Sequence, residues 1–169
     1  YERARFFFQR RAPGDIDRAQ AYFEEAVALD PGFARAWAGL AGVYWIETVE
    51  GRVPPEPGLA RVRDAAERAL ALDPRLAEPH LRLAAYRWST GNDAAGDAHL
   101  RAALALDPDN PLVLSFSASI AAGDGRHDEA IDMQRRAVSA DPLSTTARHN
   151  LASYLYMAGR YDDAQAELR

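Results

Sequence analysis

The side chains best suited to chemistry in this sequence are four histidines, at positions 80, 99, 127 and 149, and several acidic pairs such as Asp162-Asp163. Imidazoles ligate transition metals or carry protons near neutral pH, and a helical zinc site needs two of them one turn apart. No two of these histidines have HxxxH spacing, and no HExxH occurs. His127 precedes Asp128 and Glu129, but all three fall at a turn that starts a helix. Acids at that position, like Asp162-Asp163, complement the helix dipole. No GxGxxG, Walker loop or GxSxG is present. The absence of cysteine excludes disulfides, thiolate zinc sites, iron–sulfur clusters and a cysteine nucleophile. Catalysis requires converging polar groups with matched pKa values, and the sequence shows no such set. The expectation is therefore a non-enzyme without catalytic residues, cofactor or metal.

The elements that position these residues are helices. Alanine, the best helix former, is the most frequent residue, whereas Val, Ile and Thr are scarce. The net charge is −5 and the pI about 5.4, with acids and bases interspersed, as in Asp64, Glu67 and Arg68. That surface lacks the basic face of a nucleic-acid-binding domain, so no direct nucleic-acid contact is expected. No apolar run approaches the roughly 20 residues needed to span a bilayer, and no signal peptide is visible. The chain opens at Tyr1 without Met and stops at Arg169 within a helical pattern. It reads as a fragment, outside which targeting segments could lie. A cytoplasmic location is expected, or a periplasmic one if a transmembrane helix lies upstream.

The chain repeats itself. Four segments end alike: Ala26-Val27-Ala28-Leu29-Asp30-Pro31, Ala69-Leu70-Ala71-Leu72-Asp73-Pro74, Ala103-Leu104-Ala105-Leu106-Asp107-Pro108 and Ala137-Val138-Ser139-Ala140-Asp141-Pro142. Successive prolines are 43, 34 and 34 residues apart. A fixed period of this length marks stacked supersecondary units. Asp-Pro breaks each preceding helix, because the residue before proline disfavours the helical region. Gly91, Gly125 and Gly159 stand where one helix must turn into the next, and glycine tolerates the φ > 0 geometry of such turns.

This pattern resembles the tetratricopeptide repeat (TPR) family. The resemblance rests on Trp37, Leu40, Ala41, Tyr44, Ala69 and Pro74 in the second repeat, and on Ala19, Phe23, Ala26 and Pro31 in the first. Leu151, Ala152, Leu155 and Ala164 carry it in the fifth. Small residues let helix axes approach, and larger ones fill the space that remains. The resemblance implies an all-α, right-handed superhelix (an α-α solenoid) of about five hairpins, each a helix A and a helix B, the last truncated. Repeats fall near 1–33, 34–76, 77–110, 111–144 and 145–169. Helices A are predicted near 2–11, 34–47, 77–90, 111–122 and 145–158, and helices B near 15–29, 58–72, 93–106, 127–140 and 161–169. Hairpins cannot bury their apolar faces alone, so neighbours must stack.

Several positions depart from the pattern. Ser117, Ala121 and Gln134 replace larger apolar residues in the fourth repeat, and Gly96 replaces Ala in the third. Looser packing is expected there, and Gly96 costs about 1 kcal/mol of helix propensity. The first helix A, with Phe6-Phe7-Phe8 in a row, matches poorly. An insertion over 48–58 holds three prolines and two glycines, which forbid a regular helix through it. It reads as a tolerated surface loop, or as an extension over one edge of a groove that touches a ligand.

In TPR proteins the A helices line a concave groove. At about 100° per residue, the outward positions of each helix A hold Arg35 and Trp45 in the second repeat. They hold Leu81, Arg82 and Trp88 in the third, and Phe116 and Ser119 in the fourth. The fifth contributes His149, Asn150, Ser153 and Tyr156. Trp45, Trp88, Phe116 and Tyr156 recur across four hairpins. Such rings either line a groove for a peptide or amphipathic helix, or pack against neighbouring helices. His149 is the one histidine on the predicted face. One TPR subgroup grips C-terminal carboxylates with Lys and Asn at positions 5 and 9. Those positions here hold Ala38 and Gly42, Leu81 and Ala85, Ser115 and Ser119, and His149 and Ser153, so a clamp of that kind is not expected.

A narrower resemblance concerns the opening Phe6-Phe7-Phe8-Gln9-Arg10-Arg11-Ala12-Pro13-Gly14-Asp15 and Tyr22-Phe23-Glu24-Glu25-Ala26, with Trp37-Ala38-Gly39-Leu40-Ala41. It is similar to the C-terminal TPR region of bacterial multidomain regulators that carry adenylate/guanylate cyclase, winged-helix or TolB-like domains. The implied function is capture of a protein or peptide partner as the sensory part of a signalling protein. The alternative is a structural scaffold that self-associates or packs on other domains of its own chain.

Overall fold

Each helix ends where local chemistry stops it. The computed structural model describes residues 1–168, which form ten helices and no strand among the described residues. The A helices are α1 (Glu2–Arg10), α3 (Ala34–Val49), α5 (Ala77–Ser89), α7 (Pro111–Gly123) and α9 (Thr145–Met157). The B helices are α2 (Asp15–Leu29), α4 (Pro55–Leu72), α6 (Asp93–Leu106), α8 (His127–Ala140) and α10 (Tyr161–Glu167). The B helices α2, α4, α6 and α8 each stop immediately before an Asp-Pro pair. Asp30 then accepts the Gly32 N–H at 2.9 Å, and Asp73 accepts the Arg75 N–H at 3.0 Å, so the aspartate closes the turn that the proline enforces. Gly91, Gly125 and Gly159 adopt φ of +75°, +78° and +76° between A and B helices, the left-handed turn that a side chain resists. Asn110 caps α7 by accepting the Leu112 and Val113 N–H groups, and Ser144 caps α9 by accepting that of Ala147.

The helices divide into two units, residues 1–102 and the residues from 103 onward, with the division inside α6. In the first unit, Ala4, Ala19, Phe23, Leu40, Ala41, Val43 and Ala66 form the centre of the core. In the Phe6-Phe7-Phe8 run of α1, Phe7 and Phe8 pack against α2 while Phe6 stays exposed. Phe7 stacks on Tyr22 with centroids 5.8 Å apart, and Phe8 meets Phe23 edge-on at 6.4 Å. The Phe23 ring lies against Gly39, where a β-carbon would come within 2.4 Å of it. In the second unit, Ala118, Ala121, Ile131, Leu151 and Leu155 form the core.

The structure alters three sequence expectations. The insertion is shorter than 48–58. Helix α3 runs on to Val49, and α4 already begins at Pro55, with Pro57 in its first turn. Prolines are tolerated there because the first N–H groups of a helix have no intrahelical partner. Gly58 is buried where α4 crosses α3, and a β-carbon on it would strike Thr48 Oγ1 at 2.2 Å. The remaining loop is tied down. Arg52 pairs with Asp17 of α2 and lies 3.9 Å from the buried carboxylate of Glu47, which Arg61 also approaches at 3.2 Å.

Gly96 is not a packing defect, because the Trp88 indole occupies the space that a side chain would fill. Gln134 replaces an aromatic yet is fully buried, and its Nε2 donates to the Ala147 carbonyl at 3.0 Å and to Ser115 Oγ at 3.2 Å. Ser117, also buried, donates to the Val113 carbonyl at 2.8 Å. Polar groups that find acceptors can stand in a core where apolar groups were expected.

Candidate functional site

Helices α1, α3 and α5 adjoin within the first unit, and α7 adjoins α9 within the second, so each unit presents its own A-helix face. On the first, Arg35 is exposed at the start of α3 and Trp45 is half-buried near its end. Trp88 is half-buried at the end of α5, its ring against Gly96 and its Nε1–H donating to Asp97 Oδ1 at 3.2 Å. Two predicted face residues lie inward. Leu81 is 1% exposed and belongs to the core, and Arg82 is 8% exposed. The angular rule places their helix positions but ignores neighbours, and α3 packs alongside α5 at this level.

The Arg82 side chain is buried beside Gly42. A β-carbon at Gly42 would sit 2.9 Å from the Phe8 ring and 3.7 Å from Arg82 Nε. Arg11 lies over the Phe8 ring, 4.8 Å from its centroid, while donating to the Phe8 carbonyl at 2.8 Å. Burial pulls the Arg82 pKa down to about 10, Glu78 opposes that shift and the Arg11 charge adds to it. Arg11 is itself lowered by burial, with Glu50 opposing. Its backbone adopts φ +56°, left-handed for a non-glycine, where α1 stops.

On the second unit's face, Ser119, His149 and Tyr156 are exposed, and Phe116, Asn150 and Ser153 are half-buried. Ser119 Oγ donates to the Phe116 carbonyl at 2.7 Å, and Ser153 Oγ donates to the His149 carbonyl at 3.0 Å. Tyr156, 65% exposed, meets Tyr161 edge-on at 5.1 Å. Both serines thus spend their protons on their own helix and retain oxygen lone pairs for a ligand.

Sequence reasoning missed two clusters. His80 of α5 and His99 of α6 place their Nδ1 atoms 3.0 Å apart, so one imidazole donates and the other accepts in a neutral pair. Burial lowers both pKa values, and His99 is lowered further by His80 and Arg87. The missed signal was a separation of 19 residues, which also joins Ser115 to Gln134 across their hairpin. The second cluster closes the first hairpin. The fully buried Asp15 receives two bonds of 2.7 Å from Arg10 and one of 3.0 Å from the Ala12 N–H. Among the described residues, no three His, Asp or Glu side chains converge as metal ligands, and no helix is long and apolar enough to cross a membrane.

A family model described as "Tetratricopeptide repeat" matches residues 10–45 and 121–169. The crystal structure of the APC/C hetero-tetramer Cut9-Hcn1 aligns with a TM-score of 0.67 and 23% identity, over 90% of this chain and 29% of that one. TTC0263, a thermophilic TPR protein of Thermus thermophilus, aligns with a TM-score of 0.65 and 24% identity, over 85% and 74% of the two chains. YrrB, a TPR protein with an unusual peptide-binding site, aligns with a TM-score of 0.53 and 19% identity, over 92% and 75%. The chain thus spans less than a third of the Cut9-Hcn1 chain it matches. Likeness at these identities establishes the fold. No curated protein matches the chain.

Proposed function

The chain belongs to the tetratricopeptide repeat family, and from that premise we propose that it captures a peptide segment of a partner protein along its A-helix faces. TPR folds are typically protein–protein interaction scaffolds and are generally non-enzymatic. The observation that carries this reading is the side-chain chemistry left open on those faces. Arg35 and Trp45 stand open or half-open on the first unit, and Ser119, His149 and Tyr156 on the second. Rings offer apolar area at low entropic cost, and the polar groups between them fix a peptide backbone. YrrB, alike in fold, is a precedent for peptide binding.

Trp45→Ala tests the reading. Partner capture should weaken while helical circular dichroism stays nearly unchanged. Loss of helix with capture unaffected in the folded fraction would end it. The similarity of the opening segment to bacterial multidomain regulators supports placing this module in the sensory part of a signalling protein. Pull-down with the intact parent chain, compared with one lacking this region, tests that placement.

A second reading is self-association or packing on other domains of the same chain. Tyr156 and Tyr161, in edge-on contact, are each more than half exposed in the second unit, as are Met157 and Leu168. Light scattering across concentrations separates the readings, because a self-associating scaffold gains mass without any partner.

A further inference from the structure

His80 and His99 form a cluster that partner capture does not use. A one-turn histidine pair on a single helix is the usual helical metal motif, and the sequence has none. The third hairpin supplies the equivalent across two helices. It faces His80 of α5 to His99 of α6 with their Nδ1 atoms 3.0 Å apart. The rings meet with centroids 5.3 Å apart and planes tilted by 41°. Neither ring makes another hydrogen bond among the described residues. Neither Nε2 is among the sealed, unpartnered polar atoms, which are Arg87 Nε, His127 Nδ1 and Gln134 Oε1. Each Nε2 therefore meets solvent, and both residues are half-buried. Burial favours the neutral form of both rings, which is the form that ligates a metal. Arg87 is the cation that acts on His99, and its own head group lies 4.0 Å from the Glu67 carboxylate, which offsets its charge.

We infer that His80 and His99 are a two-imidazole site for a divalent late first-row transition ion, with copper(II) bound ahead of zinc(II). Bonds of about 2.0–2.1 Å to imidazole place two ligating nitrogens about 2.8–3.0 Å apart at a right angle and about 3.3–3.4 Å apart at the tetrahedral angle. The separation of 3.0 Å suits the right angle of a tetragonal copper(II) site. A zinc(II) ion needs the nitrogens to part by a few tenths of an ångström. The rings must also swing, so that lone pairs now aimed at each other turn to a common point on the solvent side. No second hydrogen bond holds either ring back. The proton shared between the Nδ1 atoms moves to the Nε2 of the donating ring, so binding by the neutral pair releases none. The order of the two ions follows the general affinity series for nitrogen ligands. No third His, Asp or Glu converges there among the described residues, so water fills the remaining positions and the ion stays exchangeable. Once bound, it ties α5 to α6 and braces the third hairpin.

The 169-residue chain, without an affinity tag, is titrated with copper(II) and with zinc(II) by calorimetry. His80→Gln, His99→Gln and a His127→Gln/His149→Gln control are titrated beside it. One ion per chain, bound at least about tenfold more weakly by each single variant and unchanged in the control, supports the site. No saturable binding, or binding that either single variant retains, overturns it. A variant that unfolds would mimic loss of a ligand, so circular dichroism accompanies each titration and a second measurement uses the wild type alone. Zinc(II) is added while the imidazole nitrogen resonances are followed. Movement of the Nδ1 resonances of both His80 and His99, reversed by a chelator, supports the site whatever the variants do. Unmoved Nδ1 resonances, or changes confined to His127 and His149, overturn it. Partner capture does not enter these measurements, so neither result bears on that reading.

Discussion

The Trp88 indole lies where the side chain of Gly96 would be: a β-carbon built on Gly96 falls 2.5 Å from Trp88 Nε1. The α5–α6 hairpin closes because one residue is large and the other has no side chain at all. Gly96→Ala gains about 1 kcal/mol in helix propensity. It must also push aside a ring held by its bond to Asp97, and overpacking of this kind costs ~1–3 kcal/mol. Urea denaturation should show a net loss of up to about 2 kcal/mol. In a Trp88→Ala background the clash is gone, and the same substitution should become stabilising. A double-mutant cycle that shows no coupling would break the relationship.

Asp15 should make the first hairpin sensitive to acid. The Arg10 guanidinium bonded to it, and then the Ala12 N–H, hold its carboxyl below its ordinary value of 3.8, against the opposing effect of burial. The folded state therefore binds this proton more weakly than the unfolded chain does. The stabilisation is fully present above 3.8 and is lost as pH falls through the lowered folded value. Asp15→Asn should melt at a lower temperature than wild type at neutral pH. The gap should narrow below pH 3.8, as read by thermal denaturation over a pH series.

The His80–His99 pair gives a different acid response. Both pKa values are lowered from 6.5, first by burial. The unfolded chain thus takes up protons that the folded pair resists, and stability falls as pH drops below 6.5. The slope should reach up to about 1.4 kcal/mol per pH unit for each proton taken up on unfolding. A second proton on the pair also removes the only acceptor in the Nδ1···Nδ1 bond. His99→Gln should flatten the profile between neutral pH and pH 5, roughly one unit or more below the ordinary histidine value. An unchanged slope would show that the pair does not govern it.

These cases show what was legible in the sequence and what was not. Helix ends were legible because their causes are local: Asp-Pro at 30–31 and 73–74, and glycine at 91, 125 and 159. The start of α4 was not, because Pro55 and Pro57 break a helix interior but suit a first turn. Gly96 looked like a weakness because propensity is a property of one residue, whereas its fit depends on a ring eight positions earlier. The candidate face was only partly legible. Helical angle placed Arg35, His149 and Tyr156 outward, but it could not register that α3 and Phe8 of α1 would enclose Arg82. His80 and His99 escaped notice because a contact between two helices leaves no short motif.

Arg82 gives a prediction whose sign separates the cost of a buried charge from the packing its stem provides. Its guanidinium pKa is pulled down to about 10, chiefly by burial. The native state binds that proton less tightly than the unfolded chain. The charge therefore opposes folding in full below about 10, and the penalty fades only as pH rises above that value. Arg82→Met keeps much of the side-chain volume and removes the buried cation, so chemical denaturation at neutral pH should show ~1–3 kcal/mol of added stability. A variant less stable than wild type would mean that the arginine stem and head hold α5 against α1 and α3. A more stable one would mean that burying this cation costs the folded state more than the packing of its stem contributes.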